Sequence, residues 1–189
     1  LHDDRYRYFK QEVAEIVSYL LSHLEITTTP LGADVLPCIE LYGCYTREEI
    51  FTLVGRQTEE KRMSGSVSGV FNLPEYDATL LFVTLNKSDK DFSPSTQYDD
   101  YVINKDYFHW QSKNTDAHYN KGGRIYIDQP IKHNKIVLFV REEKRDGFGN
   151  TCPFHCFGLV DYVSSHGDCP MNITWKLEEP VMPQYLKVV

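Results

Sequence analysis

Ala78-Thr79-Leu80-Leu81-Phe82-Val83-Thr84-Leu85 and its counterpart Ile136-Val137-Leu138-Phe139-Val140 contain almost no polar residues. A strand with one wet face alternates apolar and polar residues, and these two runs do not. They are far shorter than the roughly 20 residues of a membrane-spanning helix. Their β-branched and aromatic content favours strands. They therefore read as neighbouring central strands of one sheet, buried on both faces.

Further strands follow on either side. Ser68 to Leu73 is a short one, Gly123 to Ile127 alternates, and Cys156 to Val163 is another candidate. Met171 to Leu177 alternates cleanly, with Ile173, Trp175 and Leu177 on one face and Asn172, Thr174 and Lys176 on the other. Asp146-Gly147-Phe148-Gly149-Asn150 is a turn-rich hairpin loop. Two helices precede the strands. Tyr8, Phe9, Val13, Ile16, Val17, Leu20, Leu21 and Leu24 recur at helical steps within residues 5–24, as in a packing helix. Thr27 to Gly32 breaks that pattern. Thr46-Arg47-Glu48-Glu49 is a capping box opening a second helix, with Ile50, Phe51 and Val54 as its apolar face and Gly55 suited to the left-handed position after it. The connection between the helices is too long for a helix-turn-helix. Gln57 to Gly69 is polar and reads as a mobile loop. Strands and helices do not alternate. The expectation is an α+β fold: two N-terminal helices followed by a curved, mostly antiparallel sheet or pseudobarrel.

The 189 residues suit one large domain or a domain with a helical appendage. The first residue, Leu1, is not an initiator Met, and suggests a piece of a longer chain. The start has no signal-peptide character. The five dispersed cysteines fit a reducing compartment better than a disulfide framework. A cytoplasmic protein without a membrane partner is expected. The net charge of −7 gives no general basic surplus, so nucleic-acid binding would need a local strip or pocket.

The densest polar-aromatic stretch, Asn86 to Asn114, reads as a loop leaving a buried strand, where a rigid scaffold places binding groups. Its candidate nucleic-acid-binding residues are Asn86, Lys87, Ser88, Phe92, Tyr98, His109, Trp110, Gln111, Ser112, Lys113 and Asn114, joined by Arg124. Phe92 or Trp110 would stack on a base, Gln111 or Asn114 would read its polar edge, and Lys87, Lys113 or Arg124 would hold phosphates. Charge in that stretch is balanced, and Lys132 to Arg145 is the one locally basic region. Cys152, His155, Cys156, His166 and Cys169 supply zinc-type donors, but not in a pair-plus-pair spacing, and no metal site is expected. Asp128 with Glu142 and Lys144 forms a short Mg²⁺-nuclease-like pattern that a solvated hairpin would also produce. No phosphate-binding glycine loop or nucleophile elbow is present.

Leu81-Phe-Val-Thr-Leu-Asn-Lys-Ser88, Lys90-Asp-Phe-Ser-Pro-Ser-Thr96 and Tyr107-Phe-His-Trp-Gln-Ser-Lys-Asn114 closely resemble an uncharacterised bacterial domain family. So do Tyr45 to Ile50, Leu138 to Glu142, Phe157 to Val163 and Pro170 to Leu177, and the resemblance covers about residues 36–183. Members of that family sit at the C-termini of superfamily 2 helicases, often with a phospholipase-D-like nuclease at the N-terminus. Some resemble type IV restriction enzymes that cut DNA carrying methylated cytosine. The resemblance thus implies a C-terminal recognition domain over residues 36–189, with residues 1–35 as a helical lead-in from the helicase region. Its expected partners are DNA, in a modified duplex, and the helicase domain of the same parent. Helicase motifs and the nuclease histidine–lysine motif are missing from this chain. The domain alone is therefore expected not to be an enzyme and to need no cofactor, with ATP and Mg²⁺ belonging to the parent. The alternatives are a scaffold that docks the helicase motor, and a Mg²⁺-dependent nuclease.

Overall fold

The computed structural model describes residues 6–22, 29–32, 35–58, 69–87 and 99–186. Its helices are α1 (Arg7–Ser22), α2 (Arg47–Leu53), α3 (Lys121–Ile127) and α4 (Gln129–Lys132). Its strands are β1 (Thr29–Pro30), β2 (Glu40–Leu41), β3 (Cys44–Tyr45), β4 (Val70–Leu73), β5 (Ala78–Asn86), β6 (Tyr101–Asn104), β7 (Tyr107–Gln111), β8 (Lys135–Glu143), β9 (Phe154–His166) and β10 (Asn172–Leu177). β1 and β2 form a small separate ribbon. The main sheet runs β4-β5-β8-β9-β10-β7-β6, with β3 attached to β9. It is an open mixed sheet and does not close into a barrel. The central runs β5 and β8 are neighbours as expected, and they pair in parallel, while the other pairs are antiparallel.

β9 holds the two halves of this sheet together. Its first half pairs with β8 and its second half with β10. The β8–β9 register shifts between Leu138 and Phe139, opposite Gly158, whose φ is +82°. A Cβ at Gly158 would lie 2.8 Å from Leu41 Cδ1, so both backbone and space favour glycine there. One core cluster combines Leu81, Val83, Ile136, Leu138 and Val140 with Phe108, Trp110, Ile173 and Trp175 from β7 and β10. The opposite face of β5 and β8, with Leu80, Phe82, Val137 and Phe139, is covered by Ile50, Phe51 and Val54 of the α2 region. Both faces are thus dry, which is why these strands show no alternation. In β10 one face is dry, and Ile173, Trp175 and Leu177 occupy it.

The capping box forms as expected. Glu49 Oε2 accepts from the Thr46 N–H at 2.7 Å, and Thr46 Oγ1 accepts from the Glu49 N–H at 3.2 Å. Gly55 follows with φ +72°. Three expectations need correction. Asn86 to Asn114 is not one loop, because it contains the β6–β7 hairpin. Phe108, His109 and Trp110 are all buried, so no alternation betrayed β7. Gly123 to Ile127 is helical, not extended: the Asn120 side chain caps α3 by accepting from the Gly123 N–H at 3.0 Å. A Cβ at Gly123 would lie 2.1 Å from the Ala117 carbonyl oxygen, so the chain turns where only glycine fits. Finally, α1 forms, but Tyr8, Phe9, Val13, Ile16 and Val17 remain exposed instead of packing. Most of the predicted Gln57 to Gly69 loop, residues 59–68, lies outside the described residues. No helix among the described residues is long and apolar enough to cross a membrane.

Candidate nucleic-acid interface

The end of β5 meets the open end of the β6–β7 hairpin through a buried ion pair. Lys87 Nζ lies 2.5 Å from Asp100 Oδ2, with side chains 8% and 3% exposed. Asp100 Oδ1 accepts from the Gln111 N–H at 2.9 Å, and the Gln111 amide donates to Asn172 Oδ1, also at 2.9 Å. Gln111 Oε1 accepts from the Asp99 N–H at 2.8 Å. Burial raises the Asp100 carboxyl above its ordinary range, while Lys87 and the Gln111 N–H pull it back. Asn86, exposed, stands opposite Glu143 in the β5–β8 register. Four connections therefore start beside this network: the one after Lys87, the one after Gln111, the one before Asn172 and the β8–β9 hairpin.

The candidate residues separate into classes. Lys87 faces inward on Asp100 and belongs to the scaffold. Trp110 is 5% exposed and packs edge-on against Tyr126, with Trp175 beside it, so its ring is core and presents no face to a base. His109 is buried, stacks on Tyr101 at 4.5 Å and pairs through Nδ1 with the Asp99 carbonyl at 2.7 Å. Ser112 Oγ accepts from the Met171 N–H at 3.0 Å and ties β7 to β10. Asn86, Lys113, Asn114 and Arg124 are exposed, and Arg124 forms an ion pair with Asp128. Ser88, Phe92 and Tyr98 lie outside the described residues.

Sequence reasoning stopped at Asn114 and passed over residues 115–120, the rest of a tightly built connection. Asp116 is buried, and its Oδ2 accepts from the Tyr126 hydroxyl at 3.3 Å. His118 is held at three points. Its N–H donates to Asp168 Oδ1 at 2.7 Å, its Nδ1 lies 2.9 Å from the same oxygen, and its Nε2 lies 2.8 Å from Ser165 Oγ. These contacts hold the Asp168 carboxyl below its ordinary range. With Nδ1 donating to Asp168, Nε2 accepts from Ser165, whose oxygen in turn accepts from the Tyr162 hydroxyl at 2.7 Å. The atoms are arranged as in a serine–histidine–aspartate relay. An oxygen already accepting from Tyr162 is a weakened nucleophile, and the chain reads as a clamp on the loop. The only local hint in the sequence was Asn120 followed by Gly123, a cap whose meaning depends on the turn around it.

The zinc-type and nuclease-type patterns are dispersed. Cys156 is buried, which pushes its thiol up to about 12, and His155 hydrogen-bonds the Tyr185 hydroxyl. Among the described residues no three His, Cys, Asp or Glu side chains are grouped to hold a metal ion. Asp128 caps α3 and pairs with Lys132, before the start of β8. Glu142 is near the far end of β8, so most of the length of that strand, roughly 25 Å, separates it from the strand's start.

No curated protein matches this chain in sequence. Among solved structures, it is similar to the SUVH5 SRA–fully methylated CG DNA complex, at 12% identity and a TM-score of 0.48, covering 84% of this chain and 99% of that one. The SUVH5 SRA–hemimethylated CG DNA complex gives 14% identity, the same TM-score and the same coverage. Arabidopsis thaliana SUVH6 in complex with SAM gives 13% identity and a TM-score of 0.44, covering 88% of this chain and 29% of that one. Over residues 39–188 the sequence matches the family described as a domain of unknown function, DUF3427, and the chain belongs to that family.

Proposed function

We propose that this chain is a DNA-recognition domain that reads modified cytosine and carries out no chemistry itself. In this reading residues 1–35 lead in from the helicase region of a parent protein, which supplies any ATP- or Mg²⁺-dependent step. The observation that carries the proposal is the convergence of four connections on the buried Lys87–Asp100–Gln111–Asn172 network. A rigid end that gathers long connections is where a fold places its recognition groups. Asn86, Lys113 and Asn114 stand exposed there, with Lys121 and Arg124 following on α3.

The acidic total of −7 does not oppose this reading, because phosphate contact is local. Three exposed cations, Lys113, Lys121 and Arg124, would each neutralise one phosphate. At about 0.9 per phosphate, the slope of log affinity on log salt would be about −2.7. A cytosine methyl group adds little area and no hydrogen bond. Its burial contributes about 1 kcal/mol, a preference of roughly fivefold unless extrusion of the base amplifies it.

The test is fluorescence anisotropy with methylated and plain duplexes at two salt concentrations. Salt-sensitive binding with a preference for the methylated duplex is expected. Failure to bind either duplex refutes the proposal, and equal binding refutes the modified-base part alone. A second reading, a scaffold docking on the helicase motor, is favoured by the exposed apolar face of α1. It predicts that the chain binds the helicase region and that Ile16→Asp abolishes that binding.

A further inference from the structure

Tyr119 is 81% exposed, yet it stands between two of the most firmly held residues of the structure. On one side, His118 is clamped by Asp168 and Ser165 through its backbone N–H and both ring nitrogens. On the other, Asn120 Oδ1 accepts from the N–H groups of Ala117 and Gly123, at 3.3 and 3.0 Å, and its Nδ2 donates to the Thr115 carbonyl at 2.7 Å. The Cys169 N–H adds a bond to the Asp116 carbonyl beneath the turn, at 3.0 Å. The backbone at Tyr119 is therefore fixed while its ring meets solvent. A large ring left in water on a rigid mount has little conformational freedom to lose when it is covered.

Its surroundings define what could cover it. Between Ser112 and Asp128 the exposed charges are Lys113, Lys121 and Arg124, of which Arg124 is paired with the largely buried Asp128, and the other carboxylate, Asp116, is buried as well. Asp168 lies next to the loop and is engaged by His118. On a chain of net charge −7 the loop and the helix after it thus carry, close in sequence to the exposed ring, two lysines and an arginine whose partly exposed ion pair a phosphate can replace. A polyanion bearing flat rings matches both features, whereas an acidic peptide would match the charge and leave the ring without a partner.

We infer that Tyr119 is the aromatic contact of this domain to nucleic acid, its ring stacking on a nucleobase while Lys113, Lys121 and Arg124 hold the adjoining phosphates. This inference rests on the DNA-recognition reading and moves the stacking role from Trp110 to a residue the sequence did not single out. The clamp from His118 to Asp168 and Ser165 is what positions the ring.

The experiment measures binding of fluorescein-labelled duplex to the whole chain and to Tyr119→Ala, Tyr119→Phe, Lys121→Ala and His118→Ala, with urea midpoints as a folding control. Tyr119→Ala should weaken binding about 5- to 100-fold. Its salt slope should be unchanged, because no charge is removed. Tyr119→Phe should bind within about twofold of the parent, since the ring face is retained. Lys121→Ala should lower the salt slope by about one instead. His118→Ala should fall between parent and Tyr119→Ala. If the parent binds and folded Tyr119→Ala binds equally well, the inference is wrong while DNA recognition stands. If the parent binds no duplex, both fall together.

Discussion

Replacing Lys87 with methionine tests the network on which the recognition end is built. The side chains of Lys87 and Asp100 are 8% and 3% exposed, so the substitution strands a carboxylate that water cannot reach. Removing one partner of a buried pair costs about 3–5 kcal/mol, because the remaining charge is uncompensated. Against a total stability of about 5–15 kcal/mol, this is a large displacement of the urea midpoint. The loss should depend on pH in a defined direction. Burial already raises the Asp100 carboxyl, so the folded chain holds that proton more tightly than the unfolded chain. Its contribution to stability is thus greatest below the ordinary carboxylate range and falls as pH rises through the folded-state value. Without Lys87 the folded-state value rises further and the fall is steeper. Lys87→Met should therefore cost about 3–5 kcal/mol at neutral pH and progressively less as the pH falls and Asp100 takes up the proton that makes a cation unnecessary. Adding Asp100→Asn, which keeps an acceptor for the Gln111 N–H, should recover about 2 kcal/mol or more at neutral pH. Urea titrations of the parent, Lys87→Met and the double variant at neutral and acidic pH measure all of this. A neutral-pH loss below about 1 kcal/mol, or equal losses at the two pH values, would refute the reasoning.

Gly123→Ala should lower stability by about 1–3 kcal/mol, because the new Cβ would lie 2.1 Å from the Ala117 carbonyl oxygen and 2.6 Å from Met171 Sδ; thermal melts read the loss. Thr46→Ala should cost about 1 kcal/mol through loss of the α2 cap, checked by the urea midpoint. Trp110→Ala should cost about 3–5 kcal/mol, as a core truncation does, and a variant that melts like the parent would show that its ring is not core. Toward a thiol reagent, Cys38, Cys44 and Cys169 should react in the folded chain, and Cys156, buried with its thiol pushed up to about 12, only after unfolding.

The sequence by itself determined what depends on neighbours in the chain. The capping box at Thr46 and Glu49 closes within one turn, and the dry and wet faces of β10 follow from period-two alternation. β5 and β8 were visible because strands covered on both sides are apolar throughout, although nothing in either run said that they pair in parallel. The tertiary structure decided everything that depends on what arrives from elsewhere. Phe108, His109 and Trp110 are consecutive, and alternation sends Trp110 one way and His109 the other. Only the coverage of both faces makes one of them core and the other a partner of Asp99. The helical pattern of α1 fixed its secondary structure, but a stripe of apolar residues does not supply the surface that buries it. Lys87 looked like a phosphate contact until the fold brought Asp100 to it, 13 residues along the chain. Tyr119 was one tyrosine among 13, and the clamp beside it joins His118 to residues about 50 positions away. Sequence reports the periodicity with which a segment can bury its side chains. Which of them are left in water is settled by the segments that pack against it.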